Sequence, residues 1–327
     1  MKIYRSLDDY PRNSKGSVLT IGNFDGVHLG HQEIISRARR LADREGLPLV
    51  GMTFDPAPVR ILKPQQSPEI LTPLGIKVKL LAEQGVDELI IIPTTGEFLA
   101  LDPARFVEEV LVTRLQVKHV VEGPTFNFGS RRSGTAESLE DLSQRYHFQA
   151  HLTPARTLVL EDGSTATLSS TLIREWIKAG RFGKVRESLG RDYGLVGRVV
   201  SGRGVGRALG YPTANLEPVD REQLVPNDGV FAGYAQWGGD LEQAWNCSER
   251  QGAAISIGEC ETFADGQWQI EAYLLDYPPD GPDMHEQIMV LWLREYIREQ
   301  RAFASAEELG RVIGQDCEKI RQLLPKT

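Results

Sequence analysis

One change of rhythm limits what this chain can fold into. Up to about residue 186, short β-rich runs alternate with stretches whose apolar residues recur every three or four positions; beyond it, β-rich runs follow one another across glycine-rich links. Strand, helix and strand in turn build βαβ units and a parallel sheet, whereas strands in direct succession build antiparallel sheets or barrels. In the first half, residues 18–22 predict a strand, and Ile34, Ile35, Ala38, Leu41 and Ala42 form one stripe of a helix over 31–45 that Gly46 and Pro48 end. Residues 49–54 predict the next strand. Leu74, Val78 and Leu81 mark a helix closed by Gly85, and residues 89–92 are apolar throughout, as in a strand buried on both faces. Asp102 and Pro103 cap and start a helix with Phe106, Val107, Val110 and Leu111 on its buried side, and residues 119–121 predict a further strand. After helical segments at 170–179 and 184–189, residues 230–237, 253–257 and 269–275 predict antiparallel strands with no helix between them, and helical period returns only from Ser305. The expected fold is an α/β doubly wound parallel sheet followed by a small antiparallel β-barrel with a C-terminal helix, divided into domains 1–186 and 187–327.

A length of 327 residues suits two domains of roughly 100 to 200 residues each. With 41% hydrophobic and 25% charged residues the chain can bury a core, which excludes a disordered or fibrous protein. Its net charge of −8 supplies no global field for a nucleic-acid backbone, so any phosphate must meet a local cationic or backbone-amide site. No apolar run nears the roughly 18 residues of a membrane span, and no apolar signal core follows Met1. A cytoplasmic protein acting on small-molecule substrates is expected, with neither nucleic acid nor membrane as partner. Cys247, Cys260 and Cys317 lie far apart and form no CxxC pair, which fits reduced thiols and neither a disulfide framework nor a zinc site.

The segment Gly22-Asn23-Phe24-Asp25-Gly26-Val27-His28-Leu29-Gly30-His31 lies where the first strand gives way to the first helix. In an open α/β sheet that edge binds ligands, and a helix N-terminus offers unpaired amides and partial positive charge to an anion. His28 and His31, with Gly30 between them, can both face a phosphate there and neutralise charge that builds on a phosphoryl oxygen during transfer. Each histidine alone reads as a helix cap; together they point to phosphate binding, and no other His or Cys lies close enough in sequence to complete a zinc tetrahedron. A second cluster, Ser169-Ser170-Thr171-Leu172-Ile173-Arg174, opens a helix with free hydroxyls and amides and an arginine within helical reach. In the second half, Gly202-Arg203-Gly204-Val205-Gly206-Arg207 is a loop whose amides and arginines can cradle an anion. It leads into Gly210-Tyr211-Pro212-Thr213-Ala214-Asn215, where Thr213 and Asn215 put a hydroxyl and a carboxamide oxygen on one side of an extended chain. Oxygens of that kind suit Mg²⁺ bridging ATP phosphates, although a plain turn would use the same residues.

These segments resemble the bacterial bifunctional riboflavin kinase/FAD synthetases, whose first half is an HxGH nucleotidyltransferase. The resemblance implies that His28 and His31 are catalytic and that Gly22, Asn23, Phe24, Asp25 and Gly30, with Ser169, Ser170, Thr171 and Arg174, bind nucleotide. Glu122-Gly123-Pro124-Thr125-Phe126-Asn127-Phe128-Gly129 is similar to the family's G-x-x-F-x-F-G loop, which implies flavin binding by Pro124, Phe126, Asn127 and Phe128. Pro212-Thr213-Ala214-Asn215 is similar to the P-T-A-N motif of riboflavin kinases. It implies Gly202, Gly204, Gly206 and Arg207 on ATP, Thr213 and Asn215 on Mg²⁺, and Glu271, which shares a strand face with Gln269 and Tyr273, as catalytic base for the ribityl hydroxyl. Two reactions follow from the resemblance: phosphorylation of riboflavin by ATP to FMN, and adenylylation of FMN by a second ATP to FAD with release of pyrophosphate. The chain departs from the family pattern at Ala57 in Thr53-Phe54-Asp55-Pro56-Ala57-Pro58, at Thr94, at Glu261 and over Asp283-Met284-His285-Glu286. The alternatives are an FAD synthetase whose kinase module binds flavin without turnover, and a non-catalytic flavin-nucleotide sensor.

Overall fold

The computed structural model describes residues 1–11, 15–160, 163–202, 206, 209–259, 268–278 and 281–324, in two units, Met1–Ser170 and Thr171–Thr327. The first unit is built on six parallel strands: β1 Lys2–Tyr4, β2 Ser17–Ile21, β3 Leu49–Asp55, β4 Glu88–Pro93, β5 Val117–Glu122 and β6 Gln149–Leu152. Their order is β1-β4-β3-β2-β5-β6. Successive strands run to one side of β2 and then jump to its other side at β5, so the connections leaving β2 and β5 diverge and open a crevice at their carboxyl ends. The doubly wound α/β sheet expected from the strand–helix alternation is therefore present, and β2, buried at all five positions, is its centre.

Helix α1, Leu29–Glu45, buries Ile35, Ala38, Leu41 and Ala42 and ends at Gly46 in the left-handed region (φ 65°). Helix α2 is Leu74–Glu83 and helix α3 Ala136–Tyr146. Asp102 caps the segment 103–114 by accepting the N–H groups of Ala104 and Arg105, and Phe106, Val107, Val110 and Leu111 are buried as their spacing predicts. From Phe106 this segment winds more widely than an α-helix. One stripe is corrected: α2 buries Ile76, Lys77, Leu80 and Leu81, while Leu74 and Val78 are only half-buried. The inward face includes a lysine, which a search for apolar period passes over.

In the second unit, α4 Ser170–Lys178 continues from the last residue of the first, and α5 Phe182–Leu189 precedes six strands: β7 Tyr193–Val200, β8 Thr213–Pro218, β9 Gly229–Gly238, β10 Gln251–Glu259, β11 Trp268–Leu274 and β12 Ile288–Arg298. They close in the order β7-β8-β11-β10-β9-β12, every pair antiparallel, and α6 Ala306–Leu323 follows. Ile255, Ile257, Ile270, Ala272, Met289 and Leu291 are at most 3% exposed. Ser305 caps α6 by accepting the N–H of Glu308 at 3.1 Å. The expectation of strands with no helix between them is corrected by Leu241–Asn246, capped by Asp240 and lying between β9 and β10; six residues are too few to show a helical period. Among the described residues no helix is long and apolar enough to cross a membrane.

Candidate functional site

The chain leaves β2, turns through Phe24 (φ 46°) and Gly26 (φ 83°), and enters α1 with His28 as its cap. Asp25 faces inward. Its carboxylate accepts the N–H of Leu71 at 2.9 Å and of Thr72 at 3.1 Å, and the N–H of Gly26 donates to Thr72 Oγ1 at 3.1 Å, so the turn is held from behind by the segment leading into α2. His28 Nδ1 accepts the N–H of His31 at 3.4 Å, and the two rings stack with centroids 3.7 Å apart at 18°. The edge of Phe24 closes on His31 at 5.5 Å. A Cβ at Gly30 would stand 3.1 Å from the His28 ring, so the side chain missing there leaves that ring its place. Burial first, then His28 and Lys77, lower the pKa of His31 well below the ordinary imidazole value, which keeps the ring neutral near pH 7. Its Nδ1 has no hydrogen-bond partner among the described residues, a nitrogen that a ligand oxygen can satisfy.

Of the other residues singled out here, Gly22 is half-buried and Asn23 exposed. Ser170 opens α4 and donates its hydroxyl to the Asp25 carbonyl at 2.8 Å; Ser169 and Arg174 are half-buried and Thr171 is exposed. Phe126 stacks on Phe128 (5.4 Å, 17°), Asn127 donates its amide to the Thr125 carbonyl at 2.6 Å, and Pro124 is exposed. Phe128 in turn meets Phe106 at 5.7 Å, Phe106 meets Phe98 at 6.1 Å, and Phe98 meets Phe54 at 6.1 Å. Phe98 and Phe106, two members of this aromatic chain, belong to none of the quoted motif segments. Lys77 (8% exposed) was also missed; burial lowers its pKa while Asp25 and Asp55 oppose that shift. Glu122, at the carboxyl end of β5, accepts the N–H of Ile21 at 2.5 Å, and burial raises its pKa well above the carboxylate range. At the departures, Thr94 donates to the Pro56 carbonyl at 2.6 Å, and Ala57 precedes the short helix Pro58–Leu62 without a side-chain cap.

The second constellation lies in the barrel unit. Strand register sets Asn215 of β8 opposite Glu271 of β11, Thr213 opposite Tyr273, and Ser256 of β10 opposite Glu271 on its other side. Thr213 Oγ1 donates to Glu271 Oε2 at 3.2 Å. Thr213, Asn215, Gln269, Glu271 and Tyr273 line a cavity of about 850 Å³, whereas Ile270, Ala272 and Leu274 point the opposite way and are buried. Residues 177–180 and, from α6, Leu309, Ile313 and Asp316 are also part of the wall; Arg298 binds Asp316 at 2.8 Å. A Cβ at Gly202 would collide with the Asn215 carboxamide, and Gly206 also lines the cavity. Gly204, Arg207 and Glu261 lie outside the described residues. The Asp283-to-Glu286 segment does not line the cavity; His285 Nε2 lies 2.9 Å from Ser201 Oγ. Among the described residues no three His, Cys, Asp or Glu side chains group to hold a metal. The oxygens of Thr213, Asn215 and Glu271 instead suit an ion that brings further oxygen ligands with it.

The FAD synthetase family matches residues 10–167 and the riboflavin kinase family residues 189–324. Over 317 residues the chain is 34% identical to the bifunctional riboflavin kinase/FMN adenylyltransferase of Escherichia coli K12, covering 97% of this chain and 96% of that one. The corresponding Pseudomonas fluorescens protein is 33% identical over 324 residues, covering 99% and 98%. Among solved structures, the crystal structure of a macrolide-efflux protein from Streptococcus pneumoniae is similar with a TM-score of 0.81 at 27% identity, covering 98% of each chain.

Proposed function

The chain belongs to the family of bifunctional riboflavin kinase/FMN adenylyltransferases, and from that membership we propose how its residues divide the work. It phosphorylates riboflavin with ATP to FMN and adenylylates FMN with ATP to FAD, releasing pyrophosphate. The observation that carries the division is that each family match covers one of the two constellations. Adenylyl transfer belongs to the parallel-sheet unit. An oxygen of the FMN phosphate attacks the α-phosphorus of ATP, the bond from that phosphorus to the bridging oxygen breaks, and pyrophosphate leaves. His28, His31 and the first amides of α1 meet the charge that develops on the phosphoryl oxygens. A neutral His31 still carries one ring N–H that it can donate to a phosphoryl oxygen. Gly22, Asn23, Phe24, Asp25 and Gly30 shape the turn, Ser169, Ser170, Thr171 and Arg174 hold nucleotide phosphates, and Pro124, Phe126, Asn127 and Phe128 receive the flavin.

Riboflavin phosphorylation belongs to the barrel unit. Glu271 accepts the ribityl hydroxyl proton as that oxygen attacks the γ-phosphorus and ADP departs; the hydrogen bond from Thr213 orients the carboxylate. Gly202, Gly204, Gly206 and Arg207 are assigned to ATP. Thr213 and Asn215 would hold Mg²⁺, which when bound offsets the charge of the ATP phosphates. Cytoplasm, where ATP is abundant and thiols stay reduced, is the setting that free Cys247 and Cys317 support. The test replaces His28 and His31 together by alanine and follows FMN and FAD with time from riboflavin, ATP and Mg²⁺. FAD formation should vanish while FMN formation keeps its rate; parallel loss of both in a folded variant would overturn the division.

A further inference from the structure

The turn that follows the flavin loop is strained and cationic at once. Gly129 (φ 69°), Arg131 (φ 53°) and Arg132 (φ 58°) hold left-handed backbone within four positions. A Cβ disfavours that conformation, so two successive arginines in it need a reason. The turn is held in place: Ser130 N–H donates to the Leu101 carbonyl at 2.6 Å, Arg132 N–H to the Gly129 carbonyl at 3.0 Å, and a Cβ at Gly129 would stand 2.8 Å from the backbone nitrogen of Pro103. Both arginine side chains are exposed, and neither makes a hydrogen bond or ion pair with a described residue. Elsewhere in the same unit Arg39 is bound to Asp43 and Asp87, and Arg105 to Glu109. In a chain of net charge −8, two adjacent guanidiniums without a carboxylate, on a backbone that resists them, are placed for an anion from outside.

We propose that Arg131 and Arg132 bind the phosphate of FMN in the adenylyltransferase unit and so determine its preference for FMN over riboflavin. This rests on the reading that residues 124–128 receive the flavin. With the ring system against half-buried Phe126, which buried Phe128 backs, the ribityl chain carries outward the one group that riboflavin lacks. Two planar guanidiniums match a phosphate dianion fork to fork. They also offset the repulsion between that dianion and the triphosphate it must approach, so their effect falls on binding of FMN more than on the transfer step.

The test is steady-state FAD formation at saturating ATP with FMN varied. Arg131→Gln and Arg132→Gln should each raise the KM for FMN about tenfold and the double variant about a hundredfold, with kcat, the KM for ATP and riboflavin phosphorylation within about twofold. Lysine at both positions should recover part of the loss. Glycine at both positions relieves the backbone but removes the charge, and should behave as the glutamines do. The proposal is overturned if the double glutamine variant keeps the wild-type KM for FMN, if kcat falls instead, or if the glycine variant binds FMN normally. Wild-type protein that makes no FAD from FMN would refute the assigned function instead.

Discussion

Removing the carboxylate of Asp25 asks whether the phosphate turn is held from behind. In Asp25→Ala the N–H groups of Leu71 and Thr72 lose their acceptor, and at 2% and 4% exposure neither residue can turn to water. A buried donor left unpaired costs roughly 1–3 kcal/mol, so the pair costs about 2–6 kcal/mol. That is a large part of the ~5–15 kcal/mol that holds a typical domain. At about 2–4 °C per kcal/mol for a unit of this size, its melting transition should fall by about 4–24 °C. Asp25→Asn separates acceptance from charge. Oδ1 receives both N–H groups, at 2.9 and 3.1 Å, and Oδ2 also accepts that of Leu71 at 3.1 Å, so a carboxamide with its oxygen at the Oδ1 position keeps an acceptor for each N–H but sets its NH₂ against Leu71, and should restore part of the loss. The assay is a thermal melt of the full chain beside the rates of FMN and FAD formation; the alanine variant should lose FAD formation and keep FMN formation within about twofold. An alanine variant that melts as the wild type does would refute the reasoning. So would an asparagine variant as damaged as the alanine one, because charge beside Lys77 rather than hydrogen-bond acceptance would then be what the turn needs.

Glu271→Gln keeps the shape of the proposed base but cannot take a proton, so single-turnover FMN formation should slow by ~10² to 10⁴ with riboflavin affinity almost unchanged; equal rates would place the base elsewhere. Glu122 has a folded pKa raised above its unfolded value, so its contribution to stability is full below the unfolded pKa of about 4.3 and is lost as pH rises toward the folded one. Glu122→Gln keeps an oxygen for the Ile21 N–H, and its denaturation midpoint should gain on the wild type between pH 4 and 8; a constant gap would refute the burial argument. Fragment 187–327, cut at the proposed boundary, lacks Phe182 and Val185, which are 2% and 0% exposed, and also residues 177–180 of the cavity wall. It should melt below fragment 171–327 and bind riboflavin more weakly. If the two fragments behave alike, the helices α4 and α5 are dispensable to the barrel.

What the sequence revealed was whatever repeats at short range. The stripe of α1, the apolar β4 and the Asp102 cap depend on neighbours within a turn or two, and each is where its spacing puts it. The three-residue spacing of His28 and His31 likewise survives as two stacked rings. Lys77 was hidden because hydropathy counts it as surface, while Asp25 and Asp55 compensate its burial. Strand β12 gave no alternating signal, since its first six residues are all buried and the remainder are half-buried or exposed. The chain of rings from Phe54 to Phe126 and the pairing of Asn215 with Glu271 depend on register between distant segments, which no local pattern encodes. For the barrel carboxylate, motif resemblance supplied what alternation could not.

Closure of the barrel also bears on how the protein withstands crowding and heat. A sheet margin with unpaired N–H and C=O groups is a template on which a second chain can add. The parallel sheet offers only β1 and β6 as margins, three and four residues long, and the barrel offers none. Should β7 and β12 part, however, residues 288–293 of β12 would lose their β7 partners at once, with the buried side chains of Val290, Leu291, Trp292 and Leu293 on that stretch. Self-association on heating would therefore follow opening of the barrel seam and not fraying of the larger sheet, and a flavin held against the barrel wall would protect the protein from aggregation as well as from unfolding.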